Sequence, residues 1–79
     1  MQKTIHISDA QVVMAFVATC IEATARKLGV SYRDVYQRMN RVGLIDNYIY
    51  PCYNSLHTES RDNVAQNLIE CLKEWEEKA

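Results

Sequence analysis

The side chains with the widest chemical range in this sequence are Cys20, Cys52, Cys71, His6 and His57, together with the acid Glu22. A structural zinc site takes about four thiolate or imidazole ligands and usually shows a close thiolate pair. These cysteines are odd in number, widely spaced and without a Cys-x-x-Cys, and the two histidines do not complete a set. Each cysteine sits among apolar or aromatic neighbours, as in Thr19-Cys20-Ile21 and Glu70-Cys71-Leu72. That is the setting of a free thiol packed as a small hydrophobe. No metal and no cofactor is expected. His57, in Leu56-His57-Thr58, is the one candidate base, since imidazole titrates near neutral pH. Catalysis needs several groups in mutual geometry, and no Ser, Cys or Asp stands at a catalytic spacing from it. Glu22 is the acid an enzyme reading would recruit. A ring that caps or bridges a helix end, where backbone groups lack partners, explains His57 better. Glycine-rich phosphate loops, nucleophile elbows and dinucleotide fingerprints are absent from the sequence. The chain is expected not to be an enzyme.

Binding chemistry is better represented. Five tyrosines, Tyr32, Tyr36, Tyr48, Tyr50 and Tyr53, crowd into one stretch with Arg33, Arg38 and Arg41 interleaved. Exposed tyrosine offers a large contact area with a polar tip and is enriched at interfaces. Tyr32, Tyr36, Arg38, Arg41 and Tyr50 are the candidate partner-binding residues. The competing reading is a helix-turn-helix, in which a basic helix over 31–42 offers Arg33, Arg38, Asn40 and Arg41 to a groove of nucleic acid. Residues 26–42 hold five cations and one acid, whereas the stretch from Glu59 onward holds six acids and three cations. Five cations fall short of the ~6–10 phosphate contacts of a tight binder. Two tyrosines and two aliphatics also occupy the length that would read base edges. A weak dimeric nucleic-acid binder is therefore the second choice.

The elements that must carry these residues follow from period and caps. A chain of 79 residues is one domain at most, and a net charge of −1 argues against a polybasic binder of nucleic acid or membrane. Two glycines and one proline leave little room for the turns of an all-β fold. No apolar run approaches the ~20 residues of a membrane span. The opening Met1-Gln2-Lys3-Thr4 leads into no apolar core with a cleavage site, so a cytoplasmic protein is expected. Residues 1–7 read as an extended lead-in. Ser8 with Gln11 has capping-box spacing, and Ile7 is placed to staple against Val12 or Val13. Val13, Phe16, Val17, Cys20, Ile21, Thr24 and Leu28 then recur at three and four, predicting a helix over about 9–28 that Gly29 stops. Ser31 with Asp34 starts the next, over 31–42, with Tyr32, Val35, Tyr36, Met39 and Val42 as its inward stripe and Gly43 as its stop. A third apolar pattern spans 44–56 but is interrupted at Pro51, which predicts a short helix to about residue 50, a kink, and a further turn to Leu56. Tyr50, before the proline, is expected to leave helical angles. Thr58 or Ser60 caps a last helix over about 60–77, with Val64, Leu68, Cys71, Leu72 and Trp75 as its seam. The fold expected is all-α, a compact bundle of three to four short helices in a single domain over 1–79.

Three stretches carry a resemblance: Phe16 to Glu22 with its Cys20-Ile21-Glu22, Gly43-Leu44-Ile45-Asp46-Asn47-Tyr48-Ile49, and Tyr53-Asn54-Ser55-Leu56-His57-Thr58. In this order they resemble a small bacterial family known only as a domain of unknown function, number three-seven-nine-one. Cys20, Glu22, Asp46, Leu56, His57 and Thr58 are the positions that match its motifs. The chain departs from the family pattern at Asn47 and at Pro51-Cys52. The resemblance implies an all-helical, cytoplasmic bacterial protein without known enzyme activity. Such genes often neighbour ADP-ribosyltransferase-like toxins, which implies an antitoxin or accessory role. The expectation is a non-enzymatic interaction module whose partner is another protein or a second copy of itself as a homodimer.

Overall fold

The computed structural model of the chain describes residues 9–79. The lead-in over 1–7, the cap at Ser8 and the staple at Ile7 lie outside the described residues. The elements are α1 (Asp9–Leu28), α2 (Tyr32–Val42), a π-helix (Ile45–Ile49), α3 (Tyr53–Leu56) and α4 (Arg61–Lys78), an all-α bundle. Its long members α1 and α4 pack on each other, and α2 lies against both.

The turns are set by two glycines. At the end of α1, Gly29 takes a φ of +73°, and the Val30 and Gly29 amides donate to the Ala25 and Arg26 carbonyls at 3.1 and 3.2 Å. This is the Schellman closure, which requires a left-handed residue. Ser31 then begins α2, its hydroxyl accepting from the Asp34 amide at 3.1 Å. Gly43 ends α2 at a φ of +75°, and a Cβ there would stand 2.8 Å from the Asn47 side-chain nitrogen. Of the two caps expected for α4, Ser60 is the one used, accepting from the Asn63 amide. The Thr58 hydroxyl instead donates to the Ser55 carbonyl at 2.8 Å.

The apolar stripes meet in one core. Ile21 of α1, Val35 and Met39 of α2, Leu44, Ile49, and Leu68 and Leu72 of α4 are all but inaccessible to water. Fully burying a side chain of this kind contributes roughly 1.5–3 kcal/mol. Thr24 is also completely buried. Its hydroxyl donates to the Cys20 carbonyl at 2.7 Å, and among the described residues no buried side-chain polar atom is left without a partner.

Two expectations are corrected here. Tyr32 and Tyr36 are exposed, not part of the inward stripe. Val35 and Met39 fill the contact of α2 with its neighbours, and the tyrosines, turned from them around the helix, fall on the flank beside α1. Tyr50 does not leave the helical region; it sits at φ −60°, ψ −52°. The chain accommodates Pro51 by widening the turn before it, with the Tyr50 amide donating to the Ile45 carbonyl at 3.0 Å. A π turn is wider than an α turn, which leaves room for a ring that would strike the preceding carbonyl of a regular helix. The ladder resumes at once, Cys52 amide to Tyr48 carbonyl at 3.0 Å.

Candidate interaction surface

A groove runs between α1 and α2 and is closed at one end by the π-helix. Met14, Val17, Ala18 and Ile21 form one wall, Tyr32, Tyr36 and Asn40 the other, with Ile45, Asp46 and Tyr50 across the end, around a volume of about 340 Å³. Its apolar rim is open to solvent: Met14 is 58% exposed, Tyr32 45%, Tyr36 44% and Tyr50 38%. The α1 wall is apolar for a reason visible in the sequence. No charged residue occurs between Asp9 and Glu22, and Met14 and Ala18 follow one another at a spacing of four, which places them on one helix face. Met14 lies off the core stripe, so its exposure is not a by-product of core packing. Exposed apolar and aromatic side chains from α1, α2 and the segment at Tyr50 thus line one shared depression. Beyond Tyr50 lies a second shallow depression, lined by Val12, Val13, Pro51, Tyr53 and the polar Asn54.

The candidate binding residues therefore divide. Tyr32, Tyr36 and Tyr50 share the groove, while Arg38 points to the other flank of α2. There its guanidinium donates twice to Glu76 of α4, Nε to Oε2 and a terminal nitrogen to Oε1, each at 2.8 Å. Both partners are half-buried. The hydrogen bonds from Arg38 hold the Glu76 carboxyl below its ordinary range, assisted by the charges of Arg38 and Arg41, and raise the guanidinium in turn. Arg38 thus fastens α2 to α4. Arg41 is exposed near the same carboxylate, and Arg33 is exposed on the tyrosine side.

The family-motif positions are mostly occupied with holding the fold. Cys20 is buried in the core, and burial pushes its thiol up to about 11, with Arg61 opposing the shift. Glu22 is exposed and pairs with Arg26 at 3.4 Å. Leu56 is buried. His57 donates from Nδ1 to the Tyr53 carbonyl at 2.8 Å, since a carbonyl only accepts. Its ring stacks on Tyr53 at 4.5 Å, and Tyr53 in turn meets the edge of Phe16 at 5.2 Å. His57 is thus the residue that closes α3, as a helix-end ring would be. His57 and Cys20 line one shallow pocket with Glu59 and Arg61, whereas Glu22 lines a different crevice with Arg26 and Asp62. Neither depression holds both Glu22 and His57. Only Asp46 of the motif positions reaches the groove.

The other thiols are half-buried. Cys71 donates to the Asn67 side-chain oxygen at 3.7 Å, and Asn67 donates to the Tyr48 hydroxyl at 2.8 Å. Desolvation raises both the Cys71 thiol and the Tyr48 phenol. Among the described residues no group of three or more His, Cys, Asp or Glu is placed to hold a metal ion, and no helix is long and apolar enough to cross a membrane.

Sequence reasoning missed Met14, Ala18 and Asn40 as groove residues. The signal for the first two was the charge-free half of α1; Asn40 had been read as a contact to nucleic acid. Residues 15–75 match the model of the family described as "Protein of unknown function (DUF3791)", and the chain belongs to that family. No curated protein and no solved structure matches it.

Proposed function

We propose that this chain is a non-enzymatic protein-interaction module whose working surface is the groove between α1 and α2. The observation that carries the reading is the open apolar rim, in which Met14, Tyr32, Tyr36 and Tyr50 converge from three elements and none is needed to complete the core. Tyrosine and methionine are the residues that protein interfaces enrich, and each large anchor of this kind contributes through desolvation on docking. Burial keeps the Cys20 thiol protonated, and a protonated thiol is not a nucleophile.

The test is capture of partners by the tagged chain from its own host, compared with Met14→Glu and Tyr36→Glu chains that retain the native circular dichroism spectrum. A protein retained in stoichiometric amount by the wild type and lost by both variants supports the reading. Its identity then decides between an accessory role and an antitoxin-type one. Retention of the same protein by the Met14→Glu and Tyr36→Glu chains overturns the assignment of the surface. Salt-sensitive nucleic acid in place of protein, lost on replacing Arg33 and Arg41 with Glu, would move the basic face of α2 into the role.

A further inference from the structure

Resting on the reading of the groove as a docking surface, we infer that its occupant is a second copy of this chain, bound through an isologous interface with α1 antiparallel to its counterpart. An isologous interface requires one patch to carry both the projection and the recess that receives it. The α1 wall does so: Met14 stands out from the surface, and Ala18, one turn later, is a small exposed residue beside it. A twofold axis passing between them lays each Met14 over the Ala18 of the other copy, and the small side chain lets the two backbones approach to the ~8–10 Å of packed helices. From Ala10 to Ile21 the helix carries no charge, so its antiparallel counterpart meets no like charge along the contact.

The rim supplies the complementary signs. Asp46 at the closed end of the groove has no ion-pair or hydrogen-bond partner among the described residues, and neither does Arg33. Arg33 stands three residues before Tyr36, which makes it a neighbour on the helix surface. Each copy thus presents one unused acid at the closed end of the groove and one unused base on α2 beside Tyr36, outside the groove lining. The twofold pairs each acid with the other copy's base. The chain thus carries both the uncharged small-residue face and the two opposite charges that a twofold contact needs.

The experiment is sedimentation velocity on the purified chain across ~1–200 µM, the range in which interfaces of small size associate. The wild type is expected to double its mass within that range, and Met14→Glu to remain a monomer whose thermal melt matches that of the wild type at dilute, non-associating concentration. Asp46→Arg alone and Arg33→Asp alone are expected to weaken self-association by about a hundredfold, because the twofold breaks two charge contacts at once, each on the scale of about tenfold. The double variant Asp46→Arg, Arg33→Asp should restore it, because each copy then offers the reversed pair. Restoration by exchange within one chain is a result that a foreign partner does not produce. A wild type that stays monomeric throughout, a dimer indifferent to Met14→Glu, or a double variant no better than the singles overturns the inference. A monomeric chain that nonetheless captures a protein in a Met14-dependent way overturns the second copy alone and leaves the docking surface standing.

Discussion

Replacing Arg38 with Ala separates the two roles that a basic residue on α2 can play. As a contact for a partner or a phosphate, its loss would weaken binding and leave the fold intact. The geometry gives the opposite outcome, because both nitrogens are committed to Glu76 at 2.8 Å and the pair joins α2 to the last turns of α4. A hydrogen bond to a charged group contributes ~1.5–3 kcal/mol when well shielded, and a fully exposed ion pair ~0.2–1 kcal/mol. With two bonds but about a third of each side chain still wet, screening leaves a loss of ~1–2 kcal/mol for the variant. For a domain of this size that lowers Tm by about 4–16 °C. The pH dependence has a definite sign. Glu76 is held below its ordinary value in the folded chain, so the pair stabilises above the usual carboxylate range, and its contribution is lost as pH falls through the folded value. Denaturation of wild type and Arg38→Ala at pH ~7 and again at pH ~3 should therefore show a difference that narrows in acid. The exposed Glu22–Arg26 pair is the control, with Glu22→Ala changing stability by less than ~0.5 kcal/mol. An Arg38→Ala chain as stable as wild type at neutral pH, or a loss that is the same at both pH values, refutes the clamp.

Gly43→Ala should destabilise by more than Gly29→Ala, as read from urea midpoints. Both alanines suffer the ~1–2 kcal/mol strain of a left-handed φ, but only at Gly43 does the new methyl also meet a side chain, Asn47 at 2.8 Å. Alkylation followed by mass spectrometry should label Cys52 and Cys71 ahead of Cys20 in the native chain, since Cys20 is 3% exposed and its thiol is held at about 11; prompt labelling of Cys20 would contradict its place in the core. His57→Ala should lower stability by about 1 kcal/mol, the scale of one aromatic pair with its hydrogen bond, read in the thermal melt. Met14→Glu should shift stability by no more than ~0.5 kcal/mol, because the side chain it replaces is mostly in water.

Much of the architecture was readable because local rules decide it. The spacing of α1, the glycine stops at residues 29 and 43 and the serine cap at 31 depend on the chain within a few residues of each position, and all appear as the sequence implied. The errors came where one element's neighbours decide. A period of three and four admits a wide apolar stripe on α2, and nothing local says which edge of that stripe is covered. Val35 and Met39 are covered and Tyr32 and Tyr36 are not, because α1 and α4 together reach only part of the way round a helix of 11 residues. The pairing of Arg38 with α4 was illegible for the same reason. Its partner lies 38 residues further on, and a pairing across that separation leaves no periodic trace. The π turn before Pro51 was hidden because the rule against helical angles before proline assumes a regular helix, and here the turn itself yields.

The six motif positions meet the groove only at Asp46, although the stretches around them also supply Val17, Ala18, Ile21 and Ile45 to its lining. Cys20 and Leu56 fill the core, Thr58 bonds the Ser55 carbonyl, and His57 closes α3 while stacked on Tyr53. These tasks belong to the core and to the closing of α3, and changing any of them alters stability. Met14, Ala18, Tyr32, Tyr36 and Tyr50 carry no such task, so they are free to vary without unfolding the bundle. On the proposed reading of the groove, one group of residues sets the scaffold and another sets the docking face, so substitutions there need cost the core nothing. Asp46 is the exception. It belongs to the motif, takes no part in the core, and sits at the closed end of the groove with its charge unmatched among the described residues. If the groove is the working surface, Asp46 is where the scaffold's motif and the binding face meet, and reversing its charge should disturb docking while leaving the melt of the chain unchanged.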